Sequence, residues 1–108
     1  MIIKVMPDFC STGLWEIDTK GDEITMLEFD EIAMPNELIE DFKLWIEFYD
    51  SSFDKDYNFF KKGKAKKVND MGMNLAKRLK NELPYTEIVF WAETTDNGKF
   101  EITKHKID

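Results

Sequence analysis

The sequence predicts an α+β fold: an antiparallel sheet of about five strands with two helices packed on one face. Short apolar or alternating segments, typical of strands, occur near both ends of the chain. Between them, two longer segments repeat their apolar residues at helical spacing. The length of 108 residues predicts a single domain, residues 1–108, with the element order β-β-β-α-α-β-β.

Three short strands are predicted before the first helix. Residues 1–6 are apolar around Lys4 and form the first strand. Residues 13–18 alternate between apolar and polar side chains, and a turn signal at 20–22 separates them from residues 23–29. The second and third strands are therefore expected to form a hairpin.

The first helix is predicted to begin at Pro35 and Asn36 and to end near Asp50. Proline fits the first helical turn, and Asn36 is expected to be the N-terminal cap. The core-facing side of this helix is a stripe of apolar residues at helical spacing. That stripe consists of Leu38, Phe42, Trp45, Ile46, Tyr49 and Phe53.

A connector and a second helix are predicted next. Residues 51–67 form the connector, and the helix that follows ends before Pro84. Apolar residues repeat at helical spacing from Val68 to Leu83. Gly72 lies inside this helix, where we expect it to let another element pack closely.

Two further strands are predicted after the second helix. Residues 85–93 give the strongest strand signal, and the unbroken apolar run 88–92 is typical of a central strand covered on both faces. Residues 96–98, Asp-Asn-Gly, predict a hairpin turn. A last strand with alternating side chains follows from Phe100.

Charge is distributed unevenly along the chain. Residues 1–58 carry 15 acidic and 4 basic side chains, a balance of −11, whereas residues 59–108 carry 7 acidic and 11 basic side chains, a balance of +4. The net charge of −7 argues against unassisted binding to nucleic acid or to an anionic membrane. It favours a basic protein partner.

The exposed side of the first helix is predicted to be acidic, because Glu40, Glu47 and Asp54 recur at seven-residue spacing opposite the apolar stripe. Clustered like charge opposes folding, so this imbalance suggests a binding role. Aromatic residues in the following segment are candidate buried anchors for the partner. The predicted partner-binding residues are Asp22, Glu23, Asp30, Glu31, Glu37, Glu40, Asp41, Glu47, Asp50, Asp54, Asp56, Tyr57, Phe59 and Phe60.

Residues capable of catalysis are scarce. His105 lies between two lysines in the last strand, where an exposed side chain is expected rather than a general base. Cys10 lies in a loop with no local group to activate its thiol, and we expect it to be partly buried. The segment beginning at Asp54 departs from a calcium loop because Ala65 stands where the bidentate glutamate is needed. The sequence therefore predicts no catalytic residue, no cofactor and no metal site.

Two alternatives are open at this stage. Residues 61–67 include five lysines, which we call the lysine run. With the aromatic residues before them, these lysines could form a nucleic-acid or phosphate-binding module. The acidic half of the same small domain opposes this, and a solvated basic connector is the favoured interpretation. The other alternative is a small hydrolase whose paired carboxylates come together only in the fold.

The cysteine content and the N-terminus bear on the compartment. Cys10 is the only cysteine, which excludes an intrachain disulfide and fits a reducing cytoplasm. Residues 1–8 show no signal-peptide pattern, and no apolar run approaches the ~20 residues of a membrane span. We therefore predict a soluble cytoplasmic protein that is a monomer or a weak dimer.

Three segments carry a family resemblance: Gly13-Leu14-Trp15, the helix end from Trp45 to Asp50, and the second-helix pattern from Gly72 to Leu83. Through them the chain resembles small acidic bacterial proteins that include immunity proteins of contact-dependent growth inhibition and related polymorphic toxin systems. The resemblance spans residues 13–91. It implies a protein without catalytic residues that binds a toxin domain delivered by a neighbouring cell and blocks its active site.

Charge and resemblance together predict the partner. An acidic surface fits a cationic cleft, and nuclease clefts are cationic because they must attract phosphate. The expected function is that of an immunity protein whose partner is a cognate basic toxin domain, a nuclease, rather than nucleic acid or a membrane.

Overall fold

Five strands and two α-helices follow the predicted order β-β-β-α-α-β-β in the part of the chain that the structure describes. The computed structural model describes the backbone of residues 1–56, 59–96 and 99–108, and the side chains of residues 1–56, 59–93 and 101–108. A short 3-10 helix, Phe29–Glu31, follows the third strand. The elements are β1 (Ile2–Val5), β2 (Leu14–Ile17), β3 (Glu23–Met26), α1 (Asn36–Asp50), α2 (Lys64–Glu82), β4 (Glu87–Asp96) and β5 (Lys99–Ile107).

The strands form one sheet in the order β3-β2-β1-β4-β5. The central strands β1 and β4 pair in parallel, with Ile3 opposite Ile88, whereas the other neighbours are antiparallel. The α+β fold is confirmed, but the sheet is mixed rather than purely antiparallel. Parallel neighbours need a long crossover, and the segment between β1 and β4 supplies it because it contains both helices.

Both helices pack on one side of the sheet, which we call the helical side. There, Phe90 of β4 and Trp45 of α1 meet α2 at Gly72. A Cβ at Gly72 would lie 2.6 Å from Phe90 Cε1 and 2.6 Å from Trp45 Cζ2, so the predicted close packing is confirmed. The Trp45 indole donates a hydrogen bond of 2.9 Å to the Val68 carbonyl, which satisfies its only polar group.

The ends of α1 differ from the prediction in one detail. Pro35 is the N-cap, and its carbonyl accepts hydrogen bonds from the backbone N–H groups of Leu38 and Ile39. Asn36 is the first helical residue and makes no side-chain cap, so the prediction that it caps the helix is wrong. Pro35 already has the extended backbone of a cap, with ψ at 149°. Phe53 lies beyond the end of the helix but is buried as predicted.

The helix α2 begins inside the lysine run, so the prediction of a connector up to residue 67 is wrong. Gly63 is the N-cap and has a left-handed backbone, with φ at 77°, which glycine adopts without strain. Lys64 Nζ lies 5.2 Å from the ring of Phe48 in α1. The lysine charges alone oppose a helix start here, because the N-terminal end of the helix dipole is also positive. The turn at Gly63 and the contact with Phe48 favour it.

The central strand β4 is covered by helices on one face only. Ile88, Phe90 and Ala92 are buried on the helical side, whereas Val89 and Trp91 are half-buried on the other. The expectation of burial on both faces is therefore wrong, and we call the second face the open side. The predicted turn residues Asn97 and Gly98 lie outside the described residues.

Candidate functional site

Exposed carboxylates gather on the helical side of the molecule. The 3-10 helix packs against α1, since the ring centroids of Phe29 and Phe42 are 6.5 Å apart. The carboxylates of the 3-10 helix therefore lie beside those on the exposed side of α1. We call this set the acidic surface; it consists of Asp30, Glu31, Glu37, Glu40 and Glu47.

One lysine lies within the acidic surface. Lys43 Nζ is 3.4 Å from Glu40 Oε1 and 5.9 Å from the ring of Phe29. Both side chains of the ion pair are more than half exposed, and such pairs contribute only ~0.2–1 kcal/mol to stability. With five carboxylates and one lysine, the surface is strongly negative.

Asp41 has a different role from its exposed neighbours. Its Oδ2 accepts a hydrogen bond of 2.7 Å from Arg78 Nη1 of α2, so the pair bridges the two helices. Both side chains are about one-third exposed. Asp41 was predicted to contact a partner, and the structure places it at the mouth of the crevice between α1 and α2.

This crevice contains two cavities, one on each side of Arg78. The larger, of about 430 Å³, has a mostly apolar wall that includes Leu44, Met71 and Leu75. The smaller, of about 200 Å³, is lined by Glu37 and other residues of both helices. The acidic surface therefore adjoins an open apolar groove, and sequence reasoning did not find this groove. The signal for it was Leu44, which lies outside the apolar stripe of α1.

The acidic residues of the β2–β3 hairpin lie elsewhere. Glu23 Oε1 accepts a hydrogen bond of 2.6 Å from Lys4 Nζ on the open side of the sheet. Asp22 is exposed in the preceding turn, where its N–H donates to Asp18 Oδ1. The structure does not bring these two predicted contact residues together with the acidic surface.

Three carboxylates lie close to one another near the C-terminal end of α1. Burial, and then the nearby charge of Asp8, raise the pKa of the Glu93 carboxyl from 4.5 to about 7. Burial, Asp8 and Glu47 raise the pKa of Asp50, and its buried Oδ1 has no hydrogen-bond partner among the described residues. Burial and then the charge of Glu93 raise the pKa of Tyr49 far above its ordinary value.

Among the described residues, these carboxylates are the candidates for the paired acids of a hydrolase. Asp8, Asp50 and Glu93 do not line any of the four cavities found among the described residues. A hydrolytic pair needs a cleft that admits substrate, so the structure gives this alternative no support.

The predicted contact residues Asp54 and Asp56 lie in the segment that follows α1. The Asp56 N–H donates a hydrogen bond of 3.2 Å to Asp54 Oδ1.

The predicted aromatic anchors fall into different environments. Phe60 stacks on Phe53 with ring centroids 4.3 Å apart and lies 6.0 Å from Tyr49, so it belongs to the edge of the core. Phe59 is exposed and is the anchor candidate that stays accessible. Tyr57 lies outside the described residues.

The open side of the sheet is built around a buried lysine. Lys4 is 2% exposed, and its Nζ lies 4.3 Å from the ring centroid of Trp91 and 5.6 Å from that of Trp15. Lys104 Nζ also lies 4.3 Å from Trp91. The sequence showed Lys4 only as an interruption in an apolar strand. The cation–π contacts arise because the fold pairs β1 with both β2 and β4.

The lysine run is largely engaged with the protein itself. Lys61 Nζ donates to the Ser51 carbonyl at 3.3 Å, Lys64 lies over Phe48, and Lys66 Nζ is 2.6 Å from Asp70 Oδ2. Such local partners reduce the charge available to a phosphate backbone. The structure therefore gives the nucleic-acid alternative little support.

His105 and Cys10, the histidine and the cysteine considered for catalysis, lie in different parts of the fold. His105 is half-buried and stacks on Phe90 with ring centroids 6.3 Å apart, so it is less exposed than expected. Cys10 is exposed, with φ at 57°, so the expectation of partial burial is wrong. Its neighbour Phe9 packs on Tyr49 and Phe53 instead. The described residues contain no group of three or more His, Cys, Asp or Glu side chains placed to hold a metal ion.

Comparison with known proteins identifies the family. Within the described residues, no helix combines the length and apolar character that crossing a membrane requires. No curated protein matches the chain. The family model described as Serratia CdiI immunity protein-like matches residues 1–93, which include β1 to β3, both helices and the first seven residues of β4. The chain therefore belongs to the Serratia CdiI immunity protein-like family.

Proposed function

We propose that this chain is a cytoplasmic immunity protein that binds the basic active site of a cognate toxin, a nuclease, and neutralises the toxin by covering that site. Family membership supports the general role of an immunity protein. The observation that carries the specific proposal is the acidic surface, which holds five exposed carboxylates and one lysine beside an open apolar crevice. In this role the chain binds a protein and catalyses no reaction.

The physical basis is charge mimicry. A nuclease active site attracts phosphate, so its cleft is cationic and accepts the carboxylates of α1 in place of substrate. Long-range attraction between the two surfaces accelerates encounter, and salt weakens it because the Debye length is ~10 Å at 0.1 M. Covering the cleft excludes nucleic acid without any chemical step.

Charge reversal on α1 tests the placement of the contact. The double variant Glu40→Lys/Glu47→Lys is expected to associate with the toxin severalfold more slowly than wild type at low salt, because both side chains are exposed and belong to the acidic surface. Stopped-flow association rates with the C-terminal domain of the protein encoded directly upstream measure this effect. The difference is expected to shrink as salt increases.

The control has the same change in net charge in a different place. Glu101→Lys/Asp108→Lys alters two exposed carboxylates of the C-terminal segment. Equal slowing by both pairs would show that only net charge matters and would reject the acidic surface as the contact. Gel-shift assays at low salt separate the nucleic-acid alternative, because an immunity protein should shift neither DNA nor RNA.

A further inference from the structure

The crevice between α1 and α2 has a charge and a shape that specify its occupant. We propose that it receives an extended basic segment of the cognate toxin, with an apolar side chain in the larger cavity and a lysine or arginine in the smaller cavity. This inference rests on the proposed function and deepens it, because it names the kind of segment that the toxin must present.

The larger cavity suits an apolar side chain. Leu75 is buried in its wall, and Leu44 at its rim is 56% exposed although it is a large apolar residue within a charged helix. The volume of about 430 Å³ lies within the ~300–1,000 Å³ of typical binding pockets. An apolar centre within a polar rim is the usual arrangement of a protein–protein interface.

The smaller cavity suits a cationic side chain with an apolar stem. Leu38 is buried in its wall, while Glu37 and Glu82 supply carboxylates from the two helices. Lysine and arginine place their methylene groups against apolar surface and their charge beside acids. Arg78 separates the two cavities, but its guanidinium is already paired with Asp41.

The charge of the crevice favours a basic occupant over a second copy of this chain. Together the two cavities are lined by one guanidinium and by four carboxylates, those of Glu37, Asp41, Asp70 and Glu82. A second copy of this chain would bring the same acidic surface and a net charge of −7, which disfavours association through this face. The crevice is therefore complementary to a basic segment.

Truncation of Leu44 tests the larger cavity. Leu44→Ala is expected to weaken binding to the C-terminal domain of the upstream-encoded protein about tenfold, mainly through faster dissociation. Surface plasmon resonance separates the two rates. Ile102→Ala is the matched control, because Ile102 is 49% exposed on β5, away from the helices, and is expected to leave both rates unchanged. Thermal melts verify that both variants are folded.

Hydrogen exchange on the wild-type complex supplies a test without mutation. Complex formation is expected to slow exchange in α1 and α2 around the crevice and to leave β5 unaffected. If the wild-type chain binds the toxin domain but Leu44→Ala binds equally well, or if protection appears only outside the two helices, the inference is overturned while the proposed function stands. If the wild-type chain does not bind that domain, the proposed function itself fails.

Discussion

The two sides of the sheet differ in how much apolar surface they leave exposed and in the balance of acidic and basic groups. On the helical side, the crevice leaves Leu44 and much of its apolar wall uncovered, and acidic groups outnumber basic ones around it. On the open side, the large aromatic surface of Trp91 is already covered by two lysines of the chain itself. A depression of about 360 Å³ there is lined by three lysines and two carboxylates, which nearly balance.

The difference shows that charge alone does not locate an interface. Glu23 and Glu40 contribute equally to the acidic balance of the first 58 residues. Glu23 is bound to the buried Lys4 and so supports the fold, whereas the ion pair of Glu40 is with Lys43, an exposed lysine of its own helix. Folding does not require the second kind of carboxylate, so it is the kind available to a partner. On the proposed function, the open side supports the structure and the helical side presents the binding surface.

The largest effect is expected where the helical side is packed most tightly. Gly72→Ala places a Cβ 2.6 Å from the rings of Trp45 and Phe90, which are buried and cannot move aside. We expect a loss of about 3 kcal/mol in the free energy of unfolding, at the upper end for overpacked cores. Because α2 must shift, toxin binding should weaken as well. Urea unfolding and binding measurements check both effects.

Asn74→Ala is the control for the stability effect alone, because Asn74 also lines the larger cavity of the crevice. Asn74 is exposed on the same helix, and its replacement is expected to change stability by no more than about 0.5 kcal/mol. A Gly72→Ala variant as stable as wild type would mean that α2 can move without cost. The close approach would then not hold the helical side in place.

The second effect concerns the open side. Lys4→Ala removes a buried stem from between Trp15 and Trp91, and we expect a loss of about 2 kcal/mol. Lys4→Met keeps most of the packing and removes the cation–π contacts and the ion pair, so a loss of about 1 kcal/mol is expected. Urea unfolding followed by tryptophan fluorescence measures both losses.

The Lys4 variants also test the difference between the two sides of the sheet. Their affinity for the toxin should equal that of wild type, because Lys4 lies on the open side. Weaker binding by folded Lys4→Met would show that the open side also contacts the partner. The separation between a supporting side and a binding side would then be wrong.

The features predicted correctly from the sequence are those that local spacing determines. The apolar stripe of α1 and the close packing at Gly72 follow from helical periodicity within short segments. The exposed carboxylates of α1 follow from the same periodicity. Their position beside an apolar crevice does not, because that depends on how α1 and α2 pack, with Asp41 and Arg78 37 residues apart in the chain.

Pairing between distant segments explains the other differences. Lys4 is buried because β4, more than eighty residues later in the chain, lies beside β1 in parallel and brings Trp91 to it. Alternation within β1 indicates which residues share a face but not which strand becomes the neighbour or in which direction. The start of α2 at Lys64 similarly depends on the contact with Phe48, which belongs to another helix.

The smallest effect on stability is expected at Glu93, whose carboxylate is partly buried. Among the described side chains, Glu93 has no lysine partner such as the one Glu23 has on the open side, and it is less exposed than the acidic surface. Burial, with the charge of Asp8 second, therefore raises its pKa to about 7 in the folded protein. Between its ordinary value of 4.5 and about 7, the folded state holds a proton that the unfolded state has lost, so stability falls as pH rises through this window.

Glu93→Gln removes this dependence because glutamine stays neutral at every pH. We expect the variant to be about 1 kcal/mol more stable than wild type at pH 8, after allowance for the exposed part of the side chain, and equal to it below pH ~4.5. Urea unfolding at several pH values measures the difference, and Glu82→Gln, at an exposed site of α2, is the control for removal of a glutamate charge from the surface. A gain that is the same at pH 5 and pH 8 would show that burial of the charge is not its cause. A gain that follows pH would instead show that a carboxylate destabilises this fold where it is buried, in contrast to the exposed carboxylates on the outer face of α1.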